Sequence, residues 1–187
     1  MIQNGPWQIK ERIEKYSNPW MQVYEDQVIR PDGKSGIVGT VSLKPGAAAL
    51  PIDNDGYVYL VEEFHYSIKK TELVCATGGT DSLTDFDYLK TAKRELEEEL
   101  GIKAEKWTDL GFINPLTMLV SSPMKIYLAQ DLTFTKQHLD ETENIKIVKI
   151  KLEDAIEKIG TEITAAATCT LLLKAHLHLK RDELIYE

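Results

Sequence analysis

The chain is predicted to fold as an α/β sandwich on a mixed β-sheet, with a strand-rich N-terminal appendage over 1–45 and the main domain over 46–187. Three observations predict it. Short extended segments punctuated by turn residues fill the first half, and strands are followed by helices without strict strand–helix alternation. A length of 187 residues with 43% apolar and 28% charged content suits one core of ordinary size.

In the appendage, extended segments at 21–24 and 38–42 lie among the turn sequences Pro31-Asp32-Gly33 and Pro45-Gly46. Strands at 47–52 and 57–62 follow, joined by Asp53-Asn54-Asp55-Gly56, whose Asp-Gly end is a strong hairpin signal. A further strand ends in Glu72-Leu73 and leads to the glycine pair Gly78-Gly79. A helix is expected from about 86 to 100, stopped by Gly101, because glycine readily takes the left-handed conformation that closes a helix. Strands are then expected at 107–113, 124–129 and 145–150, and helices at 152–159 and 163–179.

Asp and Glu total 30 against 22 Lys and Arg, a formal net charge of -8. That balance disfavours a nucleic-acid or anionic-membrane partner, since either needs a basic surface to neutralise phosphates. Cys75 and Cys169 lie far apart without a CxxC spacing, so neither a disulfide framework nor a thiolate zinc site is expected. The early residues become charged at Lys10, Glu11, Arg12 and Glu14, and the weakly polar stretch 163–173 is too short to span a bilayer, which takes roughly 20 apolar residues. A cytoplasmic protein is expected.

The most informative run is Arg94-Glu95-Leu96-Glu97-Glu98-Glu99-Leu100-Gly101-Ile102. On a helix, Glu95, Glu98 and Glu99 fall at i, i+3 and i+4, so their carboxylates share a face while Leu89, Leu96 and Leu100 point into the core. Like charges at that spacing repel by a few tenths of a kcal/mol per pair, a cost that a bound divalent cation turns into a gain. Hard oxygen ligands favour Mg²⁺ or Mn²⁺. The plain alternative is a solvated helix face, since glutamate is a good helix former.

This run closely resembles the second half of the signature of the Nudix hydrolases, R-E-U-x-E-E-x-G-U with U aliphatic, and matches it at every specified position. The first half, G-x5-E-x7, departs: counted back from Arg94, its glutamate falls at Phe86 and its glycine at Thr80, so the loop after Gly78-Gly79 is lengthened. In the family that first acid pairs with the arginine and braces the loop. Arg94 matches the arginine, with Asp85, or else Asp87, in place of the acid.

The resemblance is nearest to the ADP-ribose pyrophosphatase, or nucleoside diphosphate sugar hydrolase, branch. Tyr57-Val58-Tyr59-Leu60-Val61-Glu62, Glu72-Leu73, Ile126-Tyr127-Leu128-Ala129 and Asp140-Glu141-Thr142-Glu143 carry it, with the spacing from Trp20 to Pro31-Asp32-Gly33. It implies a Nudix-type α/β/α sandwich over 46–187, an appendage that helps build a homodimer and the nucleotide site, and metal held at Glu95, Glu98, Glu99 and Gly78. The catalytic base implied is Glu141, with Glu143 and Glu95 as rivals, and Trp20 matches an aromatic that stacks the base of the substrate.

Two departures bear on the substrate. Many ADP-ribose hydrolases carry Gln-aromatic-Arg where this chain has Glu63-Phe64-His65-Tyr66, so a permanent cation is replaced at the substrate-contacting His65 by a partly charged one. The Pro-Gly pair found later in that branch is Pro115-Leu116 here. The implied activity is metal-dependent hydrolysis of the diphosphate of ADP-ribose or a related nucleotide sugar, giving a nucleoside monophosphate and a sugar phosphate. GDP-mannose or another nucleotide sugar is the alternative substrate, and a non-catalytic nucleotide-sugar sensor is the alternative class. His138, His176 and His178 show no ligand spacing, and the last two diverge on a helix.

Overall fold

The computed structural model describes residues 1–81, 87–139 and 145–185, the side chains from 182 onward excepted. In chain order the strands and helices are β1 (Ile2–Asn4), β2 (Trp7–Ser17), β3 (Met21–Ile29), β4 (Ser35–Leu43), β5 (Gly46–Pro51), β6 (Tyr57–His65), β7 (Lys70–Val74) and β8 (Ala76–Gly79). Then come α1 (Tyr88–Leu100), β9 (Ile102–Ile113), β10 (Val120–Ser121), β11 (Met124–Phe134), β12 (Lys146–Lys151), α2 (Leu152–Glu157) and α3 (Ala166–Ile185). The chain divides into two compact units, one of Met1–Pro45 with Asn114–Pro123, the other of Gly46–Ile113 with Met124–Glu187.

The first unit is a five-stranded sheet in the order β1-β2-β3-β4-β10, antiparallel except for the parallel pairing of β10 with β4. Few of its side chains are buried; Ile9, Val28 and Asp26 are among them. Asp26 is 3% exposed and takes a two-pronged ion pair from Arg12, with Nε and Nη2 2.7 and 2.8 Å from its two oxygens. That pairing holds the Asp26 carboxyl below its ordinary range against the opposing effect of burial.

The second unit holds two sheets, a mixed one in the order β8-β5-β11-β9 and an antiparallel one in the order β12-β6-β7. β5 runs parallel to β11 and antiparallel to β8. Its side chains alternate between two cores, as the two-residue period of a strand requires. Ala48, Leu50 and Ile52 enter a cluster with Leu171, Leu172 and Ala175 of α3, while Ala47 and Ala49 enter one with Ala92, Leu96 and Leu100 of α1. Helices therefore cover opposite sides of the strands, the α/β/α arrangement.

One expectation is corrected. The Asp53–Gly56 turn forms, with Gly56 at a φ of 78° and its N–H donating to the Asp53 carbonyl at 3.0 Å, but it does not make a hairpin. Only the bridge between Ile52 and Val58 links its arms before β5 and β6 enter different sheets. The reason lies in β5, which is buried at all six residues and takes a neighbour on each side within its own sheet.

The turn also gathers a polar network. Asp53 accepts from the backbone N–H groups of Asp55 and Tyr57 and from the Tyr59 hydroxyl at 3.0, 2.9 and 2.8 Å, and pairs with Lys149 at 2.9 Å. Burial pushes the Asp53 carboxyl up, but these donors, Lys149 foremost, outweigh it and bring it to about 2. α3 starts at Ala166 rather than 163, because Glu72 of β7, 3% exposed, accepts from the Thr164 hydroxyl at 2.6 Å and its N–H at 3.3 Å just before the helix. Among the described residues no helix is long and apolar enough to cross a membrane.

Candidate active site

The glutamate run forms helix α1 because both ends are capped. Asp87 stands at the N-cap and accepts from the N–H groups of Leu89 and Lys90 at 2.8 and 3.1 Å, and Gly101 closes the helix at φ 60°. A Cβ at Gly101 would also stand 2.8 Å from the Thr135 carbonyl oxygen, so close approach of the next segment adds to the demand for glycine. Asp87 is thereby occupied as a cap, which corrects its candidacy as the brace for Arg94. Asp85, the first choice, lies outside the described residues.

On this helix Leu96 and Leu100 are buried, as the pattern requires, but so are Glu95 and Glu99, at 8% and 9% exposure. Both face edge strand β8. Gly78 of that strand lies directly under Glu95, where a side chain would collide with the carboxylate. The Thr77 N–H reaches Glu99 Oε1 at 3.4 Å. Glu98 points to the more open side and is about two-fifths exposed.

Arg94 binds these carboxylates to one another. Its Nη2 lies 2.6 Å from Glu95 Oε1 and 3.1 Å from the Gly79 carbonyl oxygen, and its Nη1 lies 2.8 Å from Glu98 Oε2. Burial works against the charged guanidinium, yet the charge of Glu95 and the hydrogen bond to Glu98 raise its pKa. Asp81, 3.9 Å away, is a further acid beside it. The sequence holds one signal for Asp81, an acid two residues beyond the glycine pair.

Glu95, Glu98 and Glu99 supply the hard oxygen donors that suit a divalent cation. Among the described residues no three His, Cys, Asp or Glu side chains gather closely enough to enclose one ion, and the Arg94 guanidinium lies between Glu95 and Glu98. Glu141 and Glu143 lie outside the described residues. The segment before them is tied to α1: the N–H of Thr135 donates to the Gly101 carbonyl at 2.6 Å, and that of His138 to the Glu98 carbonyl at 2.9 Å.

His65, at the end of β6, pairs in register with Lys70 and keeps a buried Nε2 without a hydrogen-bond partner. Trp20 belongs to the first unit, where it is 72% exposed in a turn whose N–H groups at Trp20 and Met21 both donate to Asn18 Oδ1 at 2.8 Å. It is not a packed core tryptophan.

Comparison with known proteins follows the same line. The fold matches the crystal structure of an ADP compounds hydrolase with a TM-score of 0.79 and 22% identity, over 94% of this chain and 95% of that one. The model of the nucleoside diphosphate sugar hydrolase N-terminal domain matches residues 7–37, and an ADP-ribose pyrophosphatase of Bacillus subtilis (strain 168) is 28% identical over 152 residues, 80% of each chain. The chain resembles the Nudix-type hydrolases. The family-model match spans β2, β3 and the start of β4, so that likeness lies in the first unit.

Proposed function

We propose that this protein is a hydrolase that cleaves the diphosphate of ADP-ribose or a related nucleoside diphosphate sugar into a nucleoside monophosphate and a sugar phosphate. The observation that carries the reading is the seat of Glu95 against Gly78, with Glu98 and Glu99 beside it on one capped helix. The substrate class is supported by the names of the ADP-ribose pyrophosphatase and of the nucleoside diphosphate sugar hydrolase model.

Glu95, Glu98 and Glu99 would hold Mg²⁺ or Mn²⁺, since their donor set is all oxygen and Gly78 leaves Glu95 its seat against β8. When bound, the ion supplies charge neutralisation for the diphosphate and a lowered pKa for the attacking water. Glu95 and Glu99, held between α1 and β8, keep a fixed place, whereas Glu98, about two-fifths exposed, is open to solvent. Arg94 holds the carboxylates together and joins them to the loop at Gly79. Glu141 is the proposed base, with Glu143 as its rival; Glu95, already engaged by Arg94, is less suited to accept a proton. The exposed ring of Trp20 suits stacking on a nucleobase. A homodimer in the cytoplasm belongs to the same proposal, and sedimentation of the intact chain tests the assembly.

The test is release of monophosphate from a panel of nucleotide sugars, GDP-mannose included, by purified protein with Mg²⁺ or Mn²⁺. Turnover of ADP-ribose that falls about 100-fold or more in Glu98→Gln, with the fold unchanged, is expected. Binding without turnover of any member would overturn the enzymatic reading in favour of a sensor.

A further inference from the structure

A second polar site lies in the Gly46–Ile113, Met124–Glu187 unit, on the side of the sheet covered by α3. A cavity of about 320 Å³ is lined by Asp109 and Leu110 of β9 and by Lys174, Leu177, His178 and Arg181 of α3. Positions 174, 178 and 181 are spaced i, i+4 and i+7, so their side chains leave one face of the helix. His176 is turned elsewhere, 4.0 Å from Glu153.

The charges around this cavity do not balance from within. Among the described residues Asp109 is its one acidic lining residue, and both oxygens of that carboxylate are engaged: Oδ1 accepts from the Gly111 N–H at 2.8 Å and Oδ2 pairs with Lys125 at 2.6 Å. Lys125, Gly111 and the nearby charge of Lys174 hold Asp109 below its ordinary range. Lys125 thus already offsets Asp109. Among the described residues neither Lys174 nor Arg181 has an ion-pair partner within 4.0 Å, so two positive charges face the cavity in a chain of net charge -8.

The irregular backbone of β9 lies against one of them. Gly111 takes a φ of 106°, beside a register irregularity in the pairing of β9 with β11, and a Cβ there would sit 3.5 Å from Lys174 Nζ. A guanidinium fork and an ammonium facing one concavity form the donor set that fits a phosphate dianion, and the volume leaves space for an attached sugar.

We propose that this cavity binds a phosphate dianion, free or as the terminal group of a phosphomonoester, at Lys174 and Arg181. The proposal does not rest on the diphosphatase reading, because it uses none of the α1 glutamates. Calorimetric titration of the intact, EDTA-treated chain with inorganic phosphate, and separately with AMP, tests it. Saturable binding of at least one is expected, weakened about tenfold or more by Lys174→Ala and by Arg181→Ala and unchanged by Gly39→Ala, where a Cβ meets nothing within 4 Å. Equal affinities for the two probes identify free phosphate as sufficient; tighter AMP binding identifies the ester. No binding of either at millimolar concentration overturns the proposal, as does binding that both α3 variants leave intact while circular dichroism shows them folded. A mere role for Arg181 in offsetting the helix dipole would lower the melting temperature without touching phosphate affinity.

Discussion

The sharpest prediction concerns a residue with no side chain. Gly78 has an ordinary negative φ, so alanine meets no backbone objection there, and the cost of Gly78→Ala is steric alone. The new methyl would lie 2.7 Å from Glu95 Oε2, with Oε1 and Cδ nearer still, whereas real Cβ atoms essentially never come within 3.0 Å of such neighbours. Glu95 cannot absorb this quietly, since its side chain is 11% exposed and held by Arg94 at 2.6 Å. Its carboxylate must retreat by roughly an ångström or more, a displacement that costs on the order of 100-fold when it falls on a group positioning the reaction. Overpacking should also cost about 1–3 kcal/mol of stability, which for this chain length is roughly 2–12 °C in Tm. Steady-state hydrolysis and thermal denaturation measured side by side give both quantities. Gly39→Ala is the control, because a Cβ there meets nothing within 4 Å. A Gly78→Ala enzyme with undiminished turnover and an unchanged Tm would refute the placement of Glu95 over β8.

Asp53→Asn should destabilise the chain by about 2 kcal/mol at neutral pH, the linkage value of a carboxyl lowered from 3.8 to about 2. Because the folded pKa is the lower one, that stability is present above pH 4 and lost as pH falls towards 2, so urea titrations of the two proteins should converge at the acid end. Asp87→Ala removes the cap of α1 and should cost about 1 kcal/mol, while Asp87→Asn, which can still accept, should cost less. Glu72→Ala should cost about 2 kcal/mol by stranding the Thr164 hydroxyl and releasing Lys70; hydrogen exchange should quicken first at the start of α3.

Helix α1 was legible because its signals are local: an acid at the cap, carboxylates at i, i+3 and i+4, buried leucines and a closing glycine. The same holds for the core strands β6 and β11, whose apolar residues run together. β2 left no such trace. Nearly all of its residues are exposed, so no apolar alternation marks it as a strand. The parting of β5 from β6 was hidden for another reason, since turn chemistry specifies the reversal at Gly56 and says nothing of which sheet each arm enters. Likewise, the grouping of Asn114–Pro123 with the first unit depends on the pairing of β10 with β4, a contact between residues almost eighty positions apart. At the site, the residue types were readable, but the pairing of Arg94 with Glu95 and Glu98 themselves depends on rotamers that spacing cannot specify.

The side of β5 and β8 beneath α1 is made of Ala47, Ala49, Ala76 and Gly78, met from the helix by Ala92. None of these has a χ1 rotamer to change. On the sheet side such a floor has no soft degrees of freedom with which to repack, so Leu96 and Leu100 of α1 rest on nearly bare backbone. Thermal fluctuation has few side-chain rotamers to act on in that floor, and the Glu95 and Glu99 carboxylates take their positions against it.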